Sequence, residues 1–286
     1  MKTNQLLMAA QIGAKRWPMG IVLALAMTLL HQDARAITLG TAADFAILSG
    51  SAVTFGAPMN TVTGDVGVSP GTSITGVGAN LTLTGSSAIR SLAASAQAQL
   101  DATSAYGVAA GLATTTTFGG TDNQLGGQTL GAGVYKFGHG DTANLIGTLT
   151  LDAHGVAGAL FVFQATSDFI TAAGSRVVLI NGADACNIIW QVSSSATLGA
   201  GSIFDGTILA LTSITLAAGV TVDGRLLAQN GLVSLINDTI STDHCQPGKG
   251  SGHGGNSVPD TGGTLFLLGS GLAAVLGFGR RLVALV

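Results

Sequence analysis

The most constraining feature of this sequence is its cadence. From Ile37 to Ile240 the chain runs as short β-type stretches, among them Leu81-Thr82-Leu83-Thr84, Thr148-Leu149-Thr150-Leu151, Leu160-Phe161-Val162-Phe163, Ile188-Ile189-Trp190-Gln191-Val192 and Ser213-Ile214-Thr215-Leu216. Gly, Asn or Asp sits between many of them, and Gly alone takes 43 positions. A sandwich would show longer strands and clear hairpin turns. Runs this short, with a corner residue between them, predict a parallel β-solenoid whose coils stack inward Val, Ile and Leu in ladders. The repeat is uneven in length.

One segment departs from this pattern. Between Ser86 and Gly111 the residues Ile89, Leu92, Ala96, Leu100 and Thr103 recur at three- and four-residue spacing, Ser86 or Ser87 can cap the start and Gly111 can end it. The spacing predicts a long helix with one narrow apolar stripe, laid against something long and flat.

Charge removes several functions. Charged residues make up 9% of the chain, and none is Glu. From Ile37 to Ser257 five basic residues (Arg90, Lys136, Arg176, Arg225, Lys249) face twelve Asp, so no basic patch exists for nucleic acid. Low charge with a mean hydropathy of +0.53 also argues against disorder. No GxSxG, HExxH or P-loop pattern is present. His139, Asp141 and His154 form the one loose cluster able to bind a metal or move a proton, and they lie in Gly- and Ala-rich, loop-like sequence. An enzyme, a metal centre and a cofactor are therefore not expected.

The ends read as targeting. Lys2, Lys15 and Arg16 precede an apolar run from Met19 to Leu30 and then Ala34-Arg35-Ala36, the three regions of a secretory signal, with cleavage expected after Ala36. An uncleaved anchor is the rival reading, although the run is short for a span. Residues 37–245 form the folded domain, and 246–257 (QPGKGSGHGGNS) a flexible linker. The segment 258–286 holds Val258, Pro259, Asp260, Thr261 and Gly262, then an apolar stretch from Thr264 to Phe278, then Arg280 and Arg281. That order resembles the VPDSG-type C-terminal sorting signals of Gram-negative envelopes, with Thr261 in place of Ser. The resemblance implies exosortase-type processing, a transmembrane segment before cleavage and arginines on the cytoplasmic side. A plain C-terminal membrane anchor is the alternative. In an exported chain the two cysteines, Cys186 and Cys245, suggest a disulfide. A metal site with Asp184 and His244 is the sharper alternative, lacking the usual ligand spacing.

Several blocks in one order then carry a resemblance. Leu39-Gly40-Thr41-Ala42-Ala43-Asp44-Phe45-Ala46-Ile47-Leu48 is followed by Gly64-Asp65-Val66-Gly67-Val68-Ser69-Pro70, by Cys186 to Val192, by Gly206 to Ala210 and by Gly224 to Ala228. These resemble the microbial ice-binding-protein-like domain family over Ile37 to about Ile240. The resemblance implies a mostly β fold: an irregular, discontinuous three-faced β-solenoid with one long α-helix packed alongside, its first strands stacked beside later ones. It implies an exported antifreeze protein at the cell surface or envelope whose partner is the ice crystal surface. A non-catalytic adhesive solenoid without ice affinity is the alternative.

Alternation then nominates the site. If Ile74, Ile214, Leu216, Val220, Val222, Val233 and Leu235 point inward, their hydroxyl neighbours point out. Thr197 and Thr207 are added on motif position, and Ser73 and Thr75 join the later coils because the resemblance implies that the first strands stack among them; the expected ice-binding face is then Ser73, Thr75, Thr197, Thr207, Ser213, Thr215, Thr221 and Ser234, while Thr82 and Thr150 fall elsewhere.

Overall fold

The computed structural model describes residues 37–118, 123–138 and 142–245. The expected signal peptide, linker and sorting tail, together with His139, Asp141 and Lys249, lie outside the described residues. Within them the chain winds as a parallel solenoid with three faces. The first face is a seven-stranded sheet in the spatial order Ala143–Leu145, Phe169–Thr171, Ala196–Leu198, Ile214–Leu216, Val233–Ile236, Ala52–Gly56, Ser73–Thr75. The other two faces merge into one larger sheet because Ile203–Ala210 and Thr221–Ala228 run unbroken around a corner. Gly206 and Gly224 pair with each other at that corner, with φ of +112° and +148°. A Cβ on Gly224 would stand 2.0 Å from the Gly206 carbonyl oxygen, so only glycine fits.

The uneven repeat has a simple source. Thr197 pairs with Thr215 and Ile203 with Thr221, 18 residues on in each case, whereas Phe161 pairs with Ile188, 27 residues on. The longer coil carries an extra loop and the same strands. Inside, Trp190 stacks on Phe163 and Phe169 at centroid distances of 4.0 and 4.8 Å and lies 5.0 Å from Phe204. Its buried Nε1 donates to the Asp205 carbonyl at 3.1 Å, which satisfies the one polar atom of that ring.

The stack does not follow chain order. Phe45–Ser49 pairs with Thr221–Ala228 on one side and with Asp65–Val68 on the other, so the first coils are built onto the last. The chain must then return to the far end, and α1 (Leu92–Gly111) makes that journey along the third face. Eight strands on this face imply about 33 Å of stack at ~4.8 Å per step, and a 20-residue helix reaches about 30 Å.

The helix is shorter than the sequence predicts, and it turns a different side to the sheet. Ser91 caps it, its Oγ accepting from the Ala94 amide, while Ser87 accepts from the Gly64 amide instead. Ile89 joins a bridge with Val66 before the helix begins. The buried residues are Ser95, Ala98, Ala102, Ala105 and Ala109; Leu92, Leu100 and Thr103 are exposed. The reason is close approach: a Cβ on Gly67 of the sheet would come within 2.5 Å of Ser95 Oγ, leaving no depth for leucines. Two glutamines finish the fit. Gln99 Nε2 donates to the carbonyls of Ala228 and Gln229, and Gln164 Nε2 to those of Ala109 and Leu112, where helix carbonyls have no helical partner.

Candidate functional site

On the first face one outward position repeats in register across every strand. The file reads Asn144, Ile170, Thr197, Thr215, Ser234, Thr54 and Thr75. Its inward neighbours Ala196, Ile214, Val233 and Val53 on one side, and Leu198, Leu216, Leu235 and Phe55 on the other, are buried. Five consecutive members are hydroxyl residues, spaced about 4.8 Å apart by the parallel ladder. None of these five hydroxyls bonds to the described protein atoms, so all are left for water. No Asp, Lys or Arg occurs in the seven strands. Charged side chains hold their own hydration, so their absence leaves water over the file free to follow the hydroxyl lattice.

The eight predicted residues do not all meet here. Thr75, Thr197, Thr215 and Ser234 stand in the file. Ser73 and Ser213 lie two residues before it in the chain, with Ser73 opposite Ala52 and Ser213, just ahead of its strand, accepting at Oγ from the Leu232 amide. Thr221 is exposed on the second face, between Ile203 and Thr239. Thr207 is fully buried beside Arg225 and cannot touch anything outside. Both departures come from the corners: beyond Gly206 the strand has passed to the third face, where Thr207 is buried. Thr54, outside the expected set, belongs to the file as well, and the alternation of Val53-Thr54-Phe55 is the signal that identifies it.

The charged groups gather elsewhere, at a clasp between the first and last described segments of the domain. Buried Arg225 donates from Nε to the Ala43 carbonyl and from a terminal nitrogen to the Cys245 carbonyl, each at 2.9 Å. Burial lowers its guanidinium to about 10, which leaves it charged at neutral pH. His244 Nδ1 lies 2.8 Å from Asp223 Oδ2. Burial, with the charge of neighbouring Asp223, pushes the Asp205 carboxyl up to about 7, and His244 opposes that rise. Cys186 and Cys245 are joined as a disulfide with Cα atoms 5.1 Å apart. Asp184 lies near both sulfurs, but its carboxylate accepts from the Cys186 amide and the thiols are consumed in the bond, so this group has no thiolate to offer a metal. His154 is exposed beside Asp152. Among the described residues no helix is long and apolar enough to cross a membrane.

An uncharged hydroxyl plate on a three-faced β-solenoid backed, among the described residues, by one α-helix defines the class. The chain belongs to the ice-binding-like family, whose model matches residues 47–241. It is 42% identical over 262 residues to an ice-binding protein of Nostoc sp. (strain HG1), covering 90% of this chain and 93% of that one. Among solved structures, an ice-binding protein from an Antarctic biological consortium matches with a TM-score of 0.66 and 42% identity, over 72% of this chain and 90% of that one. One from Antarctomyces psychrotrophicus matches with a TM-score of 0.66 and 38% identity, over 71% and 97%.

Proposed function

We propose that this is an exported, non-catalytic ice-binding protein that adsorbs to ice through the first face and restrains crystal growth or recrystallisation. The observation that carries the reading is the file of five unbonded hydroxyls on adjacent coils in a sheet free of charge. Ice offers neither charge nor pocket, only a lattice of water. Hydroxyls can anchor that water, neighbouring methyl groups leave it few other partners, and a rigid plate lets many weak contacts act together. Ser73, Thr75, Thr197, Ser213, Thr215 and Ser234 remain the proposed contacts, with Thr54 added; burial removes Thr207, and Thr221 belongs to another face. The relatives' names, all of ice-binding proteins, support the same reading.

We further propose that the signal is cut after Ala36, and that exosortase-type machinery acts near Val258 to Gly262 after the tail has held the chain in the membrane. The result is a protein at the cell surface or outside it. Intact-mass measurement on material from the host should find both ends gone; a species retaining Thr264 to Val286 would overturn the sorting reading. An ice-recrystallisation assay on residues 37–245 tests the function. No effect on ice crystals would hand the fold to the adhesive alternative.

A further inference from the structure

Each coil leaves the first face through a corner, and behind Thr215, Ser234, Thr54 and Thr75 that corner is held by buried side chains which themselves touch no ice. Asp238 stands at its centre. Its carboxylate bridges two coils: Oδ1 accepts from the Val220 amide at 2.8 Å, on the coil that carries Thr215, and Oδ2 accepts from the Ile236 amide at 2.7 Å, at the end of the strand that carries Ser234. Its own amide donates to Asn60 Oδ1 at 3.0 Å, on the next coil, which carries Thr54. Asn60 Nδ2 then donates to the Gly56 and Asn80 carbonyls, both at 2.9 Å, and Asn80 Nδ2 to the Phe55 carbonyl at 3.0 Å, which ties in the coil of Thr75.

This corner needs an anion. The Val220 and Ile236 N–H groups point at the two oxygens of one carboxylate, and only its ionised form offers an acceptor at both. A protonated acid, or an amide in its place, sets a hydrogen against one of those N–H groups, so the coils must shift locally or leave a buried donor unpaired. The groups that face Asp238 are neutral, namely Asn60 and the backbone amides of Gly219, Val220 and Ile236. On the neighbouring strands and turns the charged groups are Asp205, Asp223, Arg225 and His244 of the clasp, Asp243 beside it, and the ion pair of Asp65 with Arg90. Burial pushes the Asp238 carboxyl up to about 6, against the opposite pull of the amides of Ile236, Val220 and Gly219. The charge is therefore present at neutral pH and lost in mild acid.

We propose that Asp238 is a positioning residue of the ice plate, its carboxylate holding the coils of Thr215, Ser234 and Thr54 at the spacing at which their hydroxyls order water together. The proposal rests on the ice-binding reading of the first face. Many weak contacts act as one only on a plate whose rungs keep their places. Acid should then weaken ice activity without unfolding the domain through this group. A carboxyl raised on folding contributes stability that is fully present below its unfolded value and lost as pH rises through about 6, so its protonation favours the folded state.

The test compares recrystallisation inhibition at about pH 7.5 and about pH 4.5, on either side of the titration. The unmodified protein should need several-fold more material at the lower value, with its circular dichroism unchanged. Asp205→Asn, which removes the raised carboxyl of the clasp, should keep that step, whereas Asp238→Asn should be weak at both values with its fold intact. Equal activity of the unmodified protein at the two values, loss of the step in Asp205→Asn, or full activity of folded Asp238→Asn would overturn the proposal. Should Asp238→Asn fail to fold, amide NMR of the unmodified protein decides: the Val220, Ile236, Thr215 and Ser234 signals should shift together with a midpoint at about 6, and still signals at Thr215 and Ser234 would overturn the positioning role. Absence of ice activity at both values would overturn the ice-binding reading itself, while the amide titration, which needs no ice, would still report on the corner.

Discussion

Thr215 sits near the middle of the hydroxyl file, exposed, between Thr197 and Ser234. Thr215→Arg should cost under about 0.5 kcal/mol of stability, yet place a hydrated charge at the centre of the plate and abolish most recrystallisation inhibition. Thr54→Arg should do the same, measured side by side with a melting curve. Thr207 predicts the opposite. Its buried Oγ1 has no hydrogen-bond partner among the described residues, so Thr207→Val should leave ice activity intact and raise stability by about 1 kcal/mol; a large loss of activity would contradict its placement. The contrast marks the limit of alternation. Where a strand stays on one face, as at Thr215 and Ser234, a period of two is enough to say which side a hydroxyl takes. Where it turns a corner within eight residues, as at Gly206, the period continues while the face changes.

The helix shows a different limit. Its existence and its end at Gly111 are legible in the sequence, but its cap at Ser91 and its buried side are not. Counting large apolar residues selects Leu92 and Leu100, because size usually tracks burial. Here the partner is a flat sheet with Gly67 beneath Ser95, and depth, not hydrophobicity, decides. Ala102→Leu should therefore lift the helix and cost about 1–3 kcal/mol by overpacking. Leu100→Ala, on the exposed side, should change stability by less than about 0.5 kcal/mol. Denaturant unfolding of the two variants should rank them in that order, against the expectation that the larger apolar residue matters more.

At the scale of the whole molecule, the stacking of the first coils on the last is invisible to periodicity, since no local signal tells Phe45–Ser49 that its partner lies near residue 226. Only the resemblance over the whole domain implies it. Beside the strand ladder, Arg225 ties that junction, donating to the Ala43 carbonyl and to the carbonyl of disulfide-bonded Cys245. Replacing Cys186 and Cys245 together by Ser should lower stability by about 2–4 kcal/mol and leave activity near 0 °C largely intact, because the plate lies on another side; melting and ice assays on one preparation separate the two effects.

The return of the helix along the third face has an evolutionary corollary. Duplicating one 18-residue coil would add a rung of about 4.8 Å to the stack, but the helix would then fall short by about three residues at 1.5 Å each. Plate length is thus written twice in the gene, once in the number of rungs and once in the helix that gauges them. Neither can drift far without the other, so lineages should enlarge or shrink this surface only through paired insertions or deletions at two distant places in the chain.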